Sequence, residues 1–240
     1  MKIKVYFSPA EIDENNLRGS ISVVIDVLRS SSTIIQAVKN GCREIIPVET
    51  IERAISLRSN LFDTNVFLCG EKEGIKVGGF ELGNSPSEYT PDLISGKTLI
   101  FTSTNAAATI VKTKHCSKTV ICGFQNINST ADFVIENDLP VNIVCAGYHN
   151  HFSIEDTVCA GTILDRIRHE SPGRFEYSDS AMAAMAISGK HSGDLKNMIR
   201  NSEHGRRLIE LGFEKDLDFC VQINNIAVLP LYSEGKIIKL

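Results

Sequence analysis

Residues 21–41, ISVVIDVLRSSSTIIQAVKNG, indicate the fold because they join two kinds of structure within a short length of chain. The β-branched run ISVVIDV (21–27) predicts a strand. The stretch SSSTIIQAVKN that follows has a helical pattern, and Gly41 can end that helix in the left-handed conformation. A strand that leads directly into a helix is the unit from which mainly parallel α/β sheets are built.

The same alternation of short apolar runs and longer amphipathic stretches continues along the chain. Thr50 predicts the start of a helix over TIERAISLRSNLF (50–62), and Ser153 predicts the start of another over SIEDTVCAGTILDRIRHE (153–170). Three strand candidates follow near the C-terminus: DFCVQIN, IAVLPLY and KIIKL. We therefore expect a single α/β domain over residues 1–240, a mainly parallel β-sheet with crossover helices on both faces, and mixed or antiparallel strands near the C-terminus.

The composition argues against several classes of protein. None of the apolar runs approaches the roughly 20 residues that span a bilayer, and no signal peptide is recognisable. The 7 cysteines are odd in number and form no C-x-x-C pair, which favours reduced thiols in the cytoplasm. The net charge of −4 gives no general attraction to nucleic acid. We expect a cytoplasmic protein with no nucleic-acid or membrane partner, and a homodimer because that is the commonest symmetric assembly.

Polar side chains follow four of the predicted strands, at the point where each strand ends. The carboxylates among them are Asp26, Glu71, Glu155 and Asp156. Arg29 and a run of hydroxyls follow the first strand, and Asn105 follows the strand KTLIFTST. The glycine-rich stretch GEKEGIKVGGFELGNSP (70–86) follows a third. Because parallel α/β sheets bind ligands beyond the carboxyl ends of their strands, we expect these groups to form one polar site.

This set of side chains suits metal-assisted chemistry on a small phosphorylated molecule. The four carboxylates offer hard oxygen ligands, which Mg²⁺ prefers. Arg29, with Ser31 and Ser32 at a helix N-terminus, offers a guanidinium, hydroxyls and backbone N–H groups to an anion. The glycines of residues 70–86 would allow backbone amides to approach a ligand closely.

Simpler interpretations exist for each of these signals. Asp26 can cap the helix that follows it, and Asp156 can bond back to the Ser153 amide in a capping box. His149 and His151 form an H-x-H pair, which is either a transition-metal site or two exposed histidines in a polar loop. No G-x-G-x-x-G or G-x-x-x-x-G-K-[ST] motif occurs, so ATP and NAD are not expected as ligands.

Five segments, taken in order, resemble the 2-phosphosulfolactate phosphatase family: DVLRSSSTI, GEKEGIKVGGFELGNSP, TSTNAAAT, FSIEDTVCAG and SEHGRRLIELG. The resemblance runs from about residue 20 to residue 220. It implies a Mg²⁺-dependent enzyme with an α/β fold that hydrolyses 2-phosphosulfolactate to sulfolactate and phosphate, a step of coenzyme M biosynthesis. Two departures bear on the substrate: Lys72 replaces the family's usual arginine, and Ala106 and Ala107 replace a glycine and a threonine.

The resemblance, together with the predicted edge, assigns roles to individual residues. The catalytic candidates are Asp26, Arg29, Glu71 and Asn105. The candidates for binding the small anionic substrate are Ser31, Ser32, Lys72, Asn84, Ser85, Arg206 and Arg207. The candidate Mg²⁺ ligands are Asp26, Glu71, Glu155 and Asp156.

Two mechanisms and three other functions stay open at this stage. Water can attack phosphorus directly, which we favour because no D-x-D motif begins at Asp26, or Asp26 itself can form an aspartyl phosphate. The chain could instead bind small phosphorylated or sulfonated metabolites without turnover, or hydrolyse another small phosphoester. A metallohydrolase that uses His149 and His151 is a further possibility.

Overall fold

The computed structural model describes residues 1–61 and 65–240, and the strands in these residues form one sheet. In chain order the strands are β1 (Lys2–Tyr6), β2 (Ile21–Ile25), β3 (Glu44–Pro47), β4 (Val66–Lys72), β5 (Ile75–Lys76), β6 (Thr98–Thr102), β7 (Lys118–Cys122), β8 (Val141–Cys145), β9 (Glu176–Tyr177), β10 (Pro230–Ser233) and β11 (Lys236–Lys239). The order across the sheet is β5-β4-β6-β3-β11-β10-β7-β2-β8-β1-β9.

Helices connect most of these strands. In the described residues they are α1 (Ser30–Lys39), α2 (Ile51–Ser59), α3 (Pro91–Ile94), α4 (Ala106–Lys112), α5 (Ile127–Glu136), α6 (Ile154–Glu170), α7 (Asp179–His191), α8 (Leu195–Asn201), α9 (Glu203–Glu210) and α10 (Glu214–Cys220). None of them combines the length and the apolar character needed to cross a membrane.

Most of the predicted elements are confirmed, and the helix caps are confirmed with them. Thr50 Oγ1 accepts a hydrogen bond from the N–H of Arg53 at 3.1 Å, and α2 begins at the next residue. The predicted end of that helix at residue 62 lies outside the described residues. The strand prediction for DFCVQIN is wrong: its first three residues end α10, which packs against neighbouring helices and contributes the buried side chains of Leu217 and Cys220 to the core.

Two blocks of parallel strands make up most of the sheet. One block has the order β4-β6-β3, and the other has the order β7-β2-β8-β1-β9. The hairpin of β10 and β11 lies between them and pairs antiparallel with β7 on one side and with β3 on the other. Because three antiparallel pairings separate the blocks, the strands of one block run opposite to those of the other.

Both faces of the sheet are covered, as the alternation of side chains along β2 shows. Val23 and Ile25 belong to a core that includes residues of α5, α6 and α7. Val24 points to the other face and belongs to a core that includes residues of α1 and α4. Successive side chains of a strand point to opposite faces, so these two cores lie on opposite sides of the sheet. The prediction of a mainly parallel α/β sheet with helices on both faces is therefore confirmed.

The core around α1 explains how oppositely directed strands contribute to one site. It contains buried residues from β2, β3, β4, β6, β7, β10 and β11, so the sheet curls around this helix. Six steps separate β2 from β4 across the sheet. A twist of roughly 20–25° at each step turns the strand direction by roughly 120–150°. The sheet curls, it twists, and its two blocks of strands run in opposite directions. Together these features bring the carboxyl end of β4 back towards that of β2, and Glu71 and Asp26 line one cleft there.

Candidate active site

An open cleft lies beyond the ends of β2 and β4, where α1 and α9 begin. Six of the predicted site residues line it: Asp26, Arg29, Glu71, Asn84, Asn105 and Arg207. The other seven predicted residues lie behind or beside the cleft: Ser31, Ser32, Lys72, Ser85, Glu155, Asp156 and Arg206. The structure thus separates the predicted residues into those that border the cleft and those that lie behind or beside it.

Asp26 directly follows β2, and the start of α1 folds around its side chain. Asp26 Oδ1 accepts a hydrogen bond from the N–H of Ser30 at 3.2 Å, and the N–H of Asp26 donates to Ser31 Oγ at 2.9 Å. Burial raises the pKa of Asp26 from 3.8 to about 7, against the opposing effects of the His204 charge and the Ser30 hydrogen bond and with a further contribution from Glu71. The side chain is therefore poised between its acid and carboxylate forms near neutral pH.

Glu71 is held by the tight turn between β4 and β5. Glu73 and Gly74 form that two-residue turn with φ values of 56° and 84°, which is typical of a type I′ hairpin. The N–H of Gly74 donates to Glu71 Oε2 at 2.6 Å, and the N–H of Thr104 donates to Oε1 at 2.6 Å. Among the glycines of residues 70–86, all of which are described, Gly74 alone lines the cleft. Of the glycines whose backbone was predicted to approach a ligand, Gly74 is therefore the one that lies at the cleft.

The guanidinium of Arg29 borders the cleft but is already paired. Arg29 Nη1 lies 2.8 Å from Asp216 Oδ2, and Nη2 donates to the Gly74 carbonyl at 2.7 Å. The ring of Phe213 lies under the guanidinium, 4.0 Å from it. Both side chains of the ion pair are buried, at 2% and 6% exposure. Arg29 therefore ties the loop after β2 to the β4–β5 turn and to α10.

Glu155 and Asp156 both begin α6 but have different partners. Asp156 Oδ1 accepts a hydrogen bond from the N–H of Val27 at 2.8 Å, and Oδ2 accepts one from the N–H of Gly147 at 3.0 Å. Asp156 thus joins the loops that follow β2 and β8, whereas its own N–H donates to the hydroxyl of the capping residue Ser153 at 3.2 Å. Burial, with the charges of Asp26 and Glu155, raises the pKa of Asp156 well above its usual value.

Three serines that were predicted to bind substrate lie behind the cleft, among the buried residues that support its walls, here called the frame. Ser31 Oγ accepts the hydrogen bond from Asp26 described above, and Ser32 Oγ donates to the carbonyl of Val27 at 3.1 Å. Ser85 Oγ donates to Asp216 Oδ1 at 2.6 Å. These hydroxyls fix the loop after β2 and the partner of Arg29, and their contact with substrate stays a prediction.

Asn84 lines the cleft and has an unsatisfied buried atom. Its Nδ2 donates to Ser30 Oγ at 3.2 Å. Its Oδ1 is buried and accepts no hydrogen bond from any residue in the described part of the chain. A buried polar atom without a partner costs about 1–3 kcal/mol, so this oxygen is suited to meet a ligand.

The predicted cations differ in their relation to the cleft. Arg207 lines it, with a side chain that is 45% exposed and lies 3.4 Å from Glu210. Arg206, its neighbour in α9, instead donates to the carbonyl of Asn201 at the surface. Lys72 is exposed and lines an acidic groove beside the cleft. Arg207 is thus the predicted cation that borders the cleft without a buried partner.

The residues at the cleft fit a magnesium ion that shares its ligands with a substrate. Within residues 1–61 and 65–240, no group of three or more His, Cys, Asp or Glu side chains is arranged to hold a metal ion by itself. Mg²⁺, however, is usually bound by one or two carboxylates together with waters and substrate phosphate oxygens. Asp26 and Glu71 supply two carboxylates at this cleft, and the unsatisfied Asn84 Oδ1 adds a neutral oxygen.

Two residues at the site lay outside the predicted set. His204, in the segment SEHGRRLIELG, was not among the candidate site residues; in the structure it lines the cleft, and its Nδ1 lies 3.5 Å from Glu155 Oε1. Asp216, the partner of Arg29, is 187 residues away in sequence, and no local pattern marks it. Of the H-x-H pair, His149 lies at the rim of the cleft, 3.6 Å from the exposed Glu73 carboxylate.

The chain is similar to known proteins along almost its whole length. The model of the 2-phosphosulpholactate phosphatase family matches residues 6–235. A probable 2-phosphosulfolactate phosphatase of Clostridium acetobutylicum is 34% identical over 99% of this chain and 100% of its own length. Proteins of the same description from Caldicellulosiruptor saccharolyticus and Thermotoga petrophila are 38% and 36% identical, over 92% and 89% of this chain and 93% and 89% of their own lengths.

Proposed function

The chain belongs to the 2-phosphosulfolactate phosphatase family, and we propose that it is a Mg²⁺-dependent phosphatase that hydrolyses 2-phosphosulfolactate to sulfolactate and phosphate. The relatives named above are described as probable phosphatases of this substrate. We place the product in coenzyme M biosynthesis on the same family resemblance.

The observation that carries the proposal is the meeting of Asp26 and Glu71 with the first turn of α1 in one cleft. The N–H groups of Ser30 and Ser31 are bonded to Asp26, so α1 favours an anion in the cleft through the partial positive charge at its N-terminus. Arg207 supplies a full positive charge at the rim. The chemistry of this donor set, with carboxylates beside an anion site, is that of a phosphoryl-transfer enzyme.

The balance of charge at the cleft supports a requirement for Mg²⁺. Asp26, Glu71 and Glu73 line the cleft, and Arg29, one of the two lining arginines, is already paired with a buried carboxylate. A substrate with phosphate, sulfonate and carboxylate groups would be repelled by this surface unless a cation joined it. Asp26 and Glu71 would hold the ion, which when bound neutralises phosphoryl charge and polarises the phosphoryl group.

The residues of the chain then position substrate for attack by water. Glu71 fixes the β4–β5 turn against Thr104, and Arg29 fixes the same turn against α1, so the walls of the cleft keep their spacing. The phosphoryl group would lie at the N-terminus of α1, and Arg207 would bind the sulfonate or carboxylate of the substrate. We favour water over Asp26 as the nucleophile because no D-x-D motif begins at Asp26, which is followed by Val27 and Leu28.

The first experiment measures phosphate release from 2-phosphosulfolactate and from a panel of other phosphomonoesters, with Mg²⁺ and with chelator. We expect release that is selective for 2-phosphosulfolactate, restored by Mg²⁺ after chelation, and lost in Asp26→Asn and Glu71→Gln. Asp138→Asn, at an exposed site, is the matched control. Selective release from another ester would reassign the substrate, and tight binding of the substrate without release would make the chain a binding protein.

A rapid-quench experiment with ³²P-labelled substrate distinguishes the two nucleophiles. Water attack predicts no labelled protein during a single turnover. A phosphorylated protein that forms and decays at the rate of turnover would instead make Asp26 the nucleophile.

A further inference from the structure

Cleavage of an alkyl phosphate ester leaves a strongly basic oxygen on the alcohol, and an acid that protonates this oxygen accelerates the reaction by about 10²–10⁴-fold. The inference that follows rests on the phosphatase function proposed above. That function leaves the proton without a donor, because Asp26 and Glu71 would hold the metal ion.

His204 is fixed in position at the start of α9. The capping residue Ser202 accepts a hydrogen bond from the N–H of Gly205 at 3.0 Å, which sets the first turn of the helix. The ring of Tyr148 stacks on the His204 ring with centroids 4.5 Å apart and an angle of 25° between the planes. The imidazole is 13% exposed, and it lines the cleft. Its orientation is therefore set by the fold before any substrate binds.

Glu155 holds one nitrogen of this ring. Glu155 Oε1 lies 3.5 Å from His204 Nδ1, and its side chain is 3% exposed. This contact turns the Nδ1 side of the ring towards the carboxylate. Because Nδ1 is occupied by Glu155, Nε2 is the nitrogen that is available to a ligand in the cleft.

The pair formed by His204 and Glu155, here called the dyad, also has a separate opening to solvent. His204 and Glu155 line a second, open hollow beside the cleft, with Ser153 and Phe152 on its wall. A proton can thus reach the histidine without passing through bound substrate. On the other side, His204 lines the same cleft as Asp26 and Glu71.

We propose that His204 is the catalytic acid that protonates the ester oxygen as the phosphorus–oxygen bond breaks, and that Glu155 is a positioning residue that orients the imidazolium. The electron pair of the broken bond passes to the ester oxygen, which takes the proton from Nε2 and leaves as the hydroxyl of sulfolactate. The oxygen of water forms the new bond to phosphorus and releases one proton to solvent. His204 regains a proton from solvent through the second hollow, so atoms and charge balance over the cycle.

The test compares leaving groups in wild type and His204→Gln, using phosphate esters that range from 2-phosphosulfolactate and simple alkyl phosphates to p-nitrophenyl phosphate. The p-nitrophenolate ion leaves without protonation, so it does not need the acid. We expect kcat for alkyl esters to fall by about 10²-fold or more in His204→Gln, while kcat for p-nitrophenyl phosphate stays within about threefold of wild type. Glu155→Gln should show the same selectivity with a smaller loss.

Controls separate this role from a structural one. His169→Gln, at an 85% exposed site in the last turn of α6, should match wild type on every ester. Urea unfolding of each variant shows whether it is folded. A loss in His204→Gln that is equal for alkyl and aryl esters, or no loss at all, would overturn the dyad and leave the phosphatase function standing. Failure of wild type to release phosphate from any ester would overturn both.

Discussion

Replacing Asp26 with asparagine should remove activity and at the same time stabilise the chelator-treated protein. Asp26 is 4% exposed, and its pKa of about 7 lies about 3 units above the ordinary value of 3.8. Each unit corresponds to about 1.4 kcal/mol, so the ionised side chain costs the folded protein on the order of 4 kcal/mol. An active-site carboxylate that destabilises the fold is the pattern expected of a residue kept for function.

The sign of the pH dependence follows from the direction of the shift. Because the folded-state pKa is raised, the contribution of Asp26 to stability is fully present below about pH 4 and is lost as the pH rises towards about 7. Asparagine does not titrate. The free energy of unfolding of Asp26→Asn should therefore exceed that of wild type by a margin that grows by about 3 kcal/mol between about pH 5 and about pH 8.

Urea unfolding of both proteins in chelator, at several pH values across this range, measures the margin directly. Asp138→Asn, whose side chain in wild type is 87% exposed, provides the control and should give a margin that does not change with pH. A margin for Asp26→Asn that is constant or shrinks with rising pH would refute the reasoning, since burial would then not be what keeps Asp26 protonated.

Three further predictions concern the frame and the rim of the cleft. Gly70→Ala should lower the free energy of unfolding by at least about 2 kcal/mol and reduce kcat. The added Cβ would lie 1.9 Å from the carbonyl oxygen of Thr102 in β6, and Gly70 directly precedes Glu71. A variant as stable as wild type would contradict this. Asp216→Asn should lower the free energy of unfolding in urea by about 3–5 kcal/mol, because it leaves the buried charge of Arg29 unpaired. Almost no loss of stability would instead be expected of an exposed ion pair, and would contradict this. Arg207→Ala should raise KM about tenfold, because Arg207 lines the cleft. Arg206→Ala, at the surface, should change KM much less, and equal effects on KM would contradict the assignment of Arg207 to the cleft.

Much of the fold could be predicted from short stretches of sequence because the signals are local. The β-branched run of β2 and the helical pattern after it specify strand and helix within some 20 residues, and Thr50 caps α2 by bonding an amide three residues away. The strand prediction for DFCVQIN failed because α10 is stabilised by contacts with distant elements, including α8 and the turn that precedes α3. Its apolar residues are buried as a helix, and a short apolar run alone does not distinguish the two.

The candidate site divides in the same way between local and distant information. The sequence by itself determined that acidic and basic side chains follow the strands, and it thereby identified Asp26 and Glu71 at the cleft. Only the tertiary structure decided that the carboxyl ends of two oppositely directed blocks meet, since that depends on the β10–β11 hairpin and on the curl of the sheet around α1. It also decided that Arg29 pairs with Asp216 across 187 residues of chain. The role of a polar side chain depends on what packs against it, and those neighbours are brought together by long-range contacts that no local pattern encodes.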